Sequence, residues 1–175
     1  KAVYRYAEML DKGEGIKEDK HEASKHYKTS ADKGNEKAMS RYAEMLDYGY
    51  GVHIHRKEAG KYYRNAASKG NYEAMASYAK LVRIGEIETE DMKEVINYAK
   101  TSSENGNANG MYQYGRFLYD NIVMKADKNN AIKYIKKSAD GGCAESMLFY
   151  GIIIDKGESP SESKTSKEYY AEAIP

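Results

Sequence analysis

The 175-residue chain is 41% hydrophobic and 31% charged, a balance typical of a folded protein with a well-solvated surface. Its net charge of +1 gives no overall field that would favour nucleic acid, membrane surfaces or acidic ligands. No apolar run approaches the roughly 20 residues needed to cross a bilayer. The single cysteine, Cys143, excludes an internal disulfide and favours a reducing, cytoplasmic compartment.

A ten-residue segment at the start of the chain recurs almost unchanged, because residues 1–10 return as 37–46, an offset of 36. The skeleton that begins at Ala38 then returns at Ala74, Gly110 and Ser146. A fixed period of roughly 20–50 residues is typical of a solenoid. The sequence therefore predicts a single array of about five repeats, expected to be part of a longer protein: 2–37, 38–73, 74–109, 110–145 and an incomplete 146–175.

Each repeat is predicted to contain two helices joined by short loops. In the first repeat, small or apolar residues at positions 2, 3, 6, 7, 9 and 10 follow helical spacing and not the alternation of a strand. Gly13-Glu-Gly15 is expected to end this first helix. Asp19 precedes Glu22 by three residues, which predicts the N-cap of a second helix. The same column holds His55, Asp91, Asp127 and Ser163, and Gly34, Gly70, Gly106 and Gly142 are expected to close the second helices.

Two aromatic columns indicate how the repeats pack. Every first helix has a tyrosine followed by alanine or glycine, as in Tyr6-Ala7 and Tyr150-Gly151. The small residue lets neighbouring helices approach closely, while the tyrosine fills the space between them. A second column runs through the second helices: His26, Tyr62, Tyr98, Tyr134 and Tyr170. Such columns predict a continuous core between repeats, which no single repeat could form alone.

The repeated pattern Ala-x3-Tyr-Ala/Gly-x2-Leu-x2-Gly, followed by Gly-x-Gly, Asp, Ala, Tyr-Tyr, Ala and Lys-Gly-Asn, resembles the Sel1-like repeat (SLR) family, relatives of the tetratricopeptide repeats. The likeness covers nearly the whole chain. It implies an all-α, right-handed superhelix with the first helices on the concave side. It also implies an adaptor or scaffold that binds a protein or peptide without catalysis or cofactor. Asn121 departs from the pattern because the other repeats have glycine there, and the second helix of the fifth repeat has a weak apolar face.

The third, fourth and seventh positions of the first helices are predicted to face outward and to contact the partner. Arg5 with Glu8 and Arg41 with Glu44 are expected to form ion pairs on this face. The candidate binding residues are Tyr4, Arg5, Glu8, Arg41, Glu44, Ser77, Lys80, Tyr112, Gln113, Arg116, Leu148, Phe149 and Ile152.

This face becomes apolar toward the C-terminus. Leu148, Phe149 and Ile152 would place three large apolar side chains on a surface that is otherwise polar. Either a partner binds them, or a further repeat or flanking segment covers them. Because aromatic and arginine side chains dominate binding hot spots, we expect Tyr112, Arg116, Phe149 and Ile152 to form the centre of a binding groove.

The chain contains three features that invite a chemical interpretation, and each has a simpler structural one. Gly13-Glu-Gly15 and Gly49-Tyr-Gly51 lack the Gly-Lys-Ser/Thr of a phosphate loop and recur at the repeat period, which indicates a loop between helices. His53 and His55 lack the further ligands of a structural zinc site. Cys143 follows a helix-closing glycine and is expected to be a surface or loop residue without a catalytic partner. The sequence predicts no catalytic residue, metal site or cofactor.

Three other functions remain as alternatives. Recognition of RNA by helical repeats would require a basic stripe, whereas the first helices alternate Arg with Glu. Cysteine-rich members of the family have been linked to β-lactam hydrolysis, but they carry paired cysteines in each repeat, which this chain lacks. Weak self-association through the ends of the array is the strongest rival, because a solenoid needs polar caps to stay monomeric.

Overall fold

The computed structural model describes residues 2–122, 127–159 and 164–174, and these residues form ten α-helices and no strand. The helices are α1 (Ala2–Lys12), α2 (Lys20–Asp32), α3 (Glu36–Tyr48), α4 (Arg56–Ala67), α5 (Tyr72–Arg83), α6 (Met92–Glu104), α7 (Ala108–Tyr119), α8 (Lys128–Asp140), α9 (Ala144–Asp155) and α10 (Ser166–Glu172). Odd-numbered helices are the first helices of the predicted repeats, and even-numbered helices are the second helices.

The helices group into two halves of the chain. The N-terminal half (Lys1–Glu90) contains α1 to α5, and the C-terminal half (Asp91–Pro175) contains α6 to α10. Within each half every helix packs against the next one in the chain, and α7 also contacts α9. The boundary between the halves falls between α5 and α6, inside the third predicted repeat. The single array of five repeats stays a prediction.

The first helices begin at asparagines whose capping role the sequence analysis missed. Asn35, Asn71 and Asn107 each accept a hydrogen bond from the backbone N–H three residues later, at 2.7–3.0 Å. This satisfies one of the donors that the first turn of a helix leaves without an intrahelical partner. The three asparagines are 36 residues apart, so the repeat alignment already contained the signal.

Cys143 occupies the same N-cap position in α9, and its expected surface location is wrong. The residue is 7% exposed and belongs to the core cluster of the C-terminal half. Its Sγ donates a hydrogen bond to Asn109 Oδ1 of α7 at 3.3 Å. The position is buried because α9 packs against α7 as well as α8. Burial raises the pKa of the thiol.

The N-caps of the second helices follow the prediction in three cases. Asp19, Asp91 and Asp127 accept hydrogen bonds from backbone N–H groups of the first turn at 2.9–3.0 Å. His55 stands at the N-cap of α4 without a side-chain cap. Ser163 lies outside the described residues, and α10 begins instead after Thr165, which forms a capping box with Glu168.

The glycines predicted to end the second helices all have positive φ, from 84 to 96°. L-residues with a Cβ rarely adopt this conformation. The first helices are also followed by a residue with positive φ. This residue is glycine in the first, second, third and fifth repeats, and Asn121, with a φ of 55°, in the fourth. Asparagine tolerates the left-handed region better than other side chains do, so the departure from the glycine pattern preserves the turn.

The small-residue column permits the close packing that the sequence predicted. Ala7, Ala43 and Ala79 have no exposed surface. At Gly115, an added Cβ would lie 2.8 Å from Ile135 Cγ1 of α8, too close for an unshifted neighbour. Packing between first and second helices therefore sets the size limit in this column.

The aromatic columns also form, with one shift in register. The rings of Tyr42 and Tyr62 meet edge to face at 5.0 Å, and those of Tyr114 and Tyr134 meet in the same way. In the last repeat the ring that meets Tyr150 belongs to Tyr169, one residue before the Tyr170 of the second column. Tyr6 is 46% exposed although its column was predicted to be buried. The reason is that α1 packs on α2, whereas α3 packs on both α2 and α4.

The loop after a first helix contacts the start of the preceding second helix through a pair of residues 30 positions apart. Lys20 Nζ lies 5.6 Å from the ring centroid of Tyr50. The equivalent residues one repeat later form a salt bridge, from Arg56 Nη1 to Glu86 Oε1 at 2.8 Å. Lys128 and Glu158 repeat it at 3.0 Å in the C-terminal half. Each pair ties a loop to the helix before it.

Candidate functional site

The candidate binding residues lie on the first helices and form one surface in each half. The N-terminal surface comprises residues of α1, α3 and α5: Tyr4, Arg5, Glu8, Arg41, Glu44, Ser77 and Lys80. The C-terminal surface comprises residues of α7 and α9: Tyr112, Gln113, Arg116, Leu148, Phe149 and Ile152.

On α1 the three candidate residues form one hydrogen-bonded group. The Tyr4 hydroxyl donates to Glu8 Oε1 at 2.9 Å, and Arg5 Nη1 donates to Glu8 Oε2 at 3.0 Å. Burial, together with the bond to Glu8, raises the pKa of Tyr4 to about 12. Desolvation acts to raise the pKa of Glu8, but the hydrogen bonds from Tyr4 and Arg5 outweigh it and lower that pKa. The expected ion pair of Arg5 with Glu8 is confirmed.

Arg41 connects α3 to α1 through a carboxylate that the sequence analysis did not single out. Its Nε donates to Asp11 Oδ2 at 2.8 Å, and its Nη1 donates to Glu44 Oε2 at 2.6 Å. The side chain of Asp11 is only 2% exposed and also accepts a hydrogen bond from Tyr27 at 3.3 Å. Arg41 therefore neutralises a buried charge in addition to forming the predicted pair with Glu44.

Asp47 is the equivalent of Asp11 one repeat later and is also buried, at 4% exposed. Arg56 Nε donates to its Oδ1 at 3.2 Å. Burial raises the pKa of Asp47, and the hydrogen bond with Arg56 partly offsets the increase. The recurrence of an aspartate near the end of an otherwise apolar stripe was the sequence signal for these two sites.

On α5 the candidate residues are engaged with tyrosines. Ser77 forms a hydrogen bond with Tyr63, whose pKa burial raises well above its usual value. Lys80 Nζ donates to the Tyr48 hydroxyl at 3.4 Å and lies 5.7 Å from the centroid of that ring. The ring of Tyr48 stacks on Tyr50 at 5.6 Å. Both tyrosines are substantially exposed, at 49% and 40%.

In the C-terminal half two candidate residues do not face outward as predicted. Tyr112 is 5% exposed and Gln113 is 2% exposed. Both are buried because α7 packs against three helices, α6, α8 and α9, so little of its surface reaches solvent. A direct contact between either residue and a partner would require this packing to open.

Arg116 and Phe149 form the centre of the C-terminal surface. The guanidinium carbon of Arg116 lies 4.0 Å from the centroid of the Phe149 ring, within the range of a cation–π interaction. Arg116 also donates to the Tyr112 hydroxyl and to Asp120 Oδ2, both at 3.1 Å. The Phe149 ring meets Tyr119 edge to face at 5.2 Å. Tyr112, Arg116 and Phe149 therefore lie together. That these residues and Ile152 form the centre of a binding groove stays a prediction.

Two apolar side chains flank this centre on α9. Leu148 is 44% exposed and Ile152 is 41% exposed, and they are one helical turn apart. Side chains four residues apart lie on the same side of a helix. Together they form an exposed apolar strip beside the Arg116–Phe149 stack.

The residues that the structure describes contain neither a metal-binding cluster nor a membrane-spanning helix. Across residues 2–122, 127–159 and 164–174, no three or more His, Cys, Asp or Glu side chains group closely enough to hold a metal ion. None of the helices in these ranges combines the length and apolar character needed to cross a bilayer.

Comparison with known proteins connects this arrangement to one family. A family model described as "Sel1 repeat" matches residues 1–35, 36–71 and 108–143, together more than half of the chain. No curated protein matches the chain by sequence. The predicted resemblance is confirmed, because both the family model and the solved structures below point to the same repeat.

Three solved structures share the fold over nearly the whole chain. A protective antigen of uropathogenic Escherichia coli displaying an SLR fold aligns with 98% of this chain at 23% identity and a TM-score of 0.81, and the chain spans 37% of that protein. A Sel1 repeat protein from Oxalobacter formigenes aligns with 98% at 28% identity and a TM-score of 0.74, with 70% of its own length covered. An immunity protein from Pseudomonas aeruginosa aligns with 99% at 20% identity and a TM-score of 0.50, with 80% covered. These matches confirm the all-α, α–α superhelix fold class.

Proposed function

This chain belongs to the Sel1 repeat family, and on that premise we propose that it is a non-catalytic module that binds a protein or peptide segment along its first-helix surfaces. Sel1 repeats generally mediate protein interactions, and the family is generally a non-catalytic scaffold. On each surface, a partner segment would contact the exposed residues. Tyr112 and Gln113 would support the C-terminal surface from within.

The observation that carries the proposal is the apolar strip of Leu148 and Ile152 beside the Arg116–Phe149 stack. Burying each of these half-exposed side chains stabilises a complex by about 1 kcal/mol or more, since complete burial contributes about 1.5–3 kcal/mol. The Arg116–Phe149 stack next to the strip offers an aromatic and an arginine, the residue types that dominate binding hot spots.

The N-terminal surface supplies a different kind of contact. The side chain of Arg5 is 78% exposed and that of Glu44 is 39% exposed, so both reach solvent although they are paired within the chain. Exposed charges of both signs contribute orientation and association rate more than affinity. We expect these charges to orient a partner segment that binds along the N-terminal surface.

The test is to select peptides from a random 12-residue display library on the intact chain and to measure their dissociation constants. The variant Leu148→Ser/Ile152→Ser should weaken binding about 10-fold or more, because the apolar burial is lost. Ile122→Ser is the matched control, since Ile122 is also in the C-terminal half and is 43% exposed. This control should bind with unchanged affinity.

Two outcomes would contradict the proposal. Unchanged affinity of the Leu148→Ser/Ile152→Ser variant, with an unchanged circular dichroism spectrum, would show that the strip is not part of the binding surface. Sedimentation at several protein concentrations distinguishes peptide binding from the rival function, self-association. A wild-type chain that dimerises through the strip, and a variant that is monomeric but binds peptides normally, would favour self-association.

A further inference from the structure

Two grooves occur at the same place in the repeat, one in each half of the chain. Each lies beside a second helix and is closed on the other side by the loop after the next first helix. The N-terminal groove has a volume of about 470 Å³ and the C-terminal groove about 510 Å³, in the range of ligand pockets. Seven lining positions correspond at an offset of 72, two repeats: Lys57 and Asn129, Gly60 and Ile132, Lys61 and Lys133, Arg64 and Lys136, Tyr78 and Tyr150, Glu86 and Glu158, Ile87 and Ser159.

The carboxylate that recurs in both grooves is neutralised by the same device. Glu86 pairs with Arg56, and Glu158 pairs with Lys128, again at an offset of 72. Glu158 also accepts a hydrogen bond from Tyr119. One further carboxylate, Glu88, lines the N-terminal groove. Glu86 and Glu158 are therefore each paired with the first residue of the preceding second helix, and they do not neutralise the lysines of the grooves.

A lysine remains available in each groove. Lys61 and Lys133 are exposed, and neither has an ion-pair partner among the residues that the structure describes. They belong to the two most basic helices, because α4 and α8 each carry four basic side chains and one acidic. The overall charge of +1 conceals this local excess.

The floor of both grooves is apolar. Tyr78 is 4% exposed and Tyr150 has no exposed surface, so both rings support the floor from beneath. Ile87 adds an aliphatic side chain to the N-terminal groove, and Ile132 does so in the C-terminal groove. In the latter, Lys136 Nζ lies 5.9 Å from the centroid of the Tyr150 ring.

We propose that each groove binds an acidic segment of a partner protein, with an Asp or Glu side chain paired to Lys61 or Lys133 and a neighbouring apolar side chain on the floor. Charge complementarity selects the acidic segment. The aliphatic floor and the presence of a carboxylate on the groove wall favour a peptide over a nucleic acid, whose phosphates require a row of cations. This surface does not depend on the first-helix surfaces proposed above.

The test uses a fluorescein-labelled peptide of three Glu-Glu-Leu triplets and its Gln-Gln-Leu counterpart, titrated into the intact chain. The acidic peptide should bind two per chain, more weakly as salt increases, and the glutamine peptide should bind at least several-fold more weakly. Lys61→Gln and Lys133→Gln should each weaken one of the two sites about two- to five-fold. The matched controls are Lys37→Gln and Lys167→Gln, exposed lysines of α3 and α10 that remove the same charge.

Three results would overturn the proposal. Equal binding of the two peptides would show that the carboxylates are not recognised. Equal losses in the Lys61→Gln/Lys133→Gln and Lys37→Gln/Lys167→Gln double variants would reduce the effect to overall charge. A single-stranded 12-nucleotide DNA that binds and depends on Lys61 and Lys133, with no binding of the acidic peptide, would assign the grooves to nucleic acid. All four lysines are exposed, so these variants retain the fold.

Discussion

The first-helix surfaces of the two halves use one backbone pattern for opposite chemistry. In the N-terminal half the outward positions carry ions, and Arg41 links α3 to the buried Asp11 of α1. In the C-terminal half the outward positions of α9 carry Phe149 and Ile152, and an arginine from the neighbouring α7 stacks on the phenylalanine. The small and aromatic columns that hold the helices together remain the same in both halves.

The contrast teaches that the two arginines are not equivalent, although both lie on first helices. Arg41 neutralises a carboxylate that has almost no contact with solvent. Arg116 has an exposed partner in Asp120 and uses its flat face against an aromatic ring. The N-terminal surface therefore stabilises its half through ionic contacts, whereas the C-terminal surface stacks Arg116 and Phe149 against a core that includes Tyr112.

The strongest test of this contrast is to remove each arginine. Arg41→Ala should lower the free energy of unfolding by about 3 kcal/mol, because Asp11 stays buried without its cation. Arg116→Ala should cost less, about 1–2 kcal/mol, because the carboxylate that it leaves, Asp120, reaches solvent. Urea unfolding of both variants measures the two losses.

Asp11→Ala provides the control for the larger effect. In the Arg41→Ala background it removes the unpaired charge, so the double variant should be more stable than Arg41→Ala alone. Equal losses for the two arginine variants would contradict the distinction between a structural ionic surface and an added aromatic one.

A second test exchanges the small residues at equivalent positions of α3 and α7. Gly110→Ala should destabilise the C-terminal half by about 1–2 kcal/mol, because the new Cβ would lie 2.3 Å from Ser102 Oγ and 2.9 Å from the backbone carbon of Ser102. Ala38→Gly should destabilise the N-terminal half by about 1 kcal/mol or more through lost helix propensity and burial. Hydrogen exchange of the amides in α3 and α7 locates each effect. A stabilising Gly110→Ala substitution would show that α6 and α7 are less closely packed than the structure has them.

The smallest expected effect is a change in stability at high pH, which should be the same in both halves. Burial and a hydrogen bond to a glutamate raise the pKa of Tyr4 and of Tyr119 to about 12. The unfolded chain loses these protons near pH 10, so the stability contributed by each tyrosine falls as the pH rises from about 10 to 12. Carbon-13 NMR of the ring Cζ atoms follows both titrations. Glu8→Gln and Glu158→Gln, the matched controls, should each shift one titration toward pH 10, and no shift in either would contradict the assigned cause.

The sequence predicted the fold well because the repeat multiplies every local signal. A single Asp-x-x-Glu is a weak sign of an N-cap, but Asp19, Asp91 and Asp127 at one period identify a column, and all three cap their helices. The last repeat shows the limit of this reasoning. There the period would place a tyrosine at 170 opposite Tyr150, and the structure places Tyr169, one residue earlier, in that role. A period alone cannot detect a one-residue change in a loop.

The candidate surface was predicted less well because burial depends on neighbours outside the repeat pattern. Tyr112 occupies the same column as Tyr4, yet α7 packs against α9 and Tyr112 is buried. Asp11 was overlooked because a charged residue in an apolar stripe resembles an ordinary surface position until its arginine partner, 30 residues away, is located. Whether the exposed members of both surfaces contact a partner stays a prediction.

The pairs 30 residues apart have a consequence for how such an array can evolve. Lys20 and Tyr50, Arg56 and Glu86, and Lys128 and Glu158 each divide one contact between two successive repeats. A repeat that is duplicated or exchanged therefore carries one residue of each of two contacts, and its neighbours must supply the other residue of each. Lysine or arginine suits either a tyrosine or a glutamate, so these repeats are interchangeable at this junction. The repeat that carries Met92 at the same position is not, because a following glutamate would lose its counter-ion. Exchange of repeats is thus restricted at this junction, in addition to the contact of Asp11 with Arg41 between successive first helices.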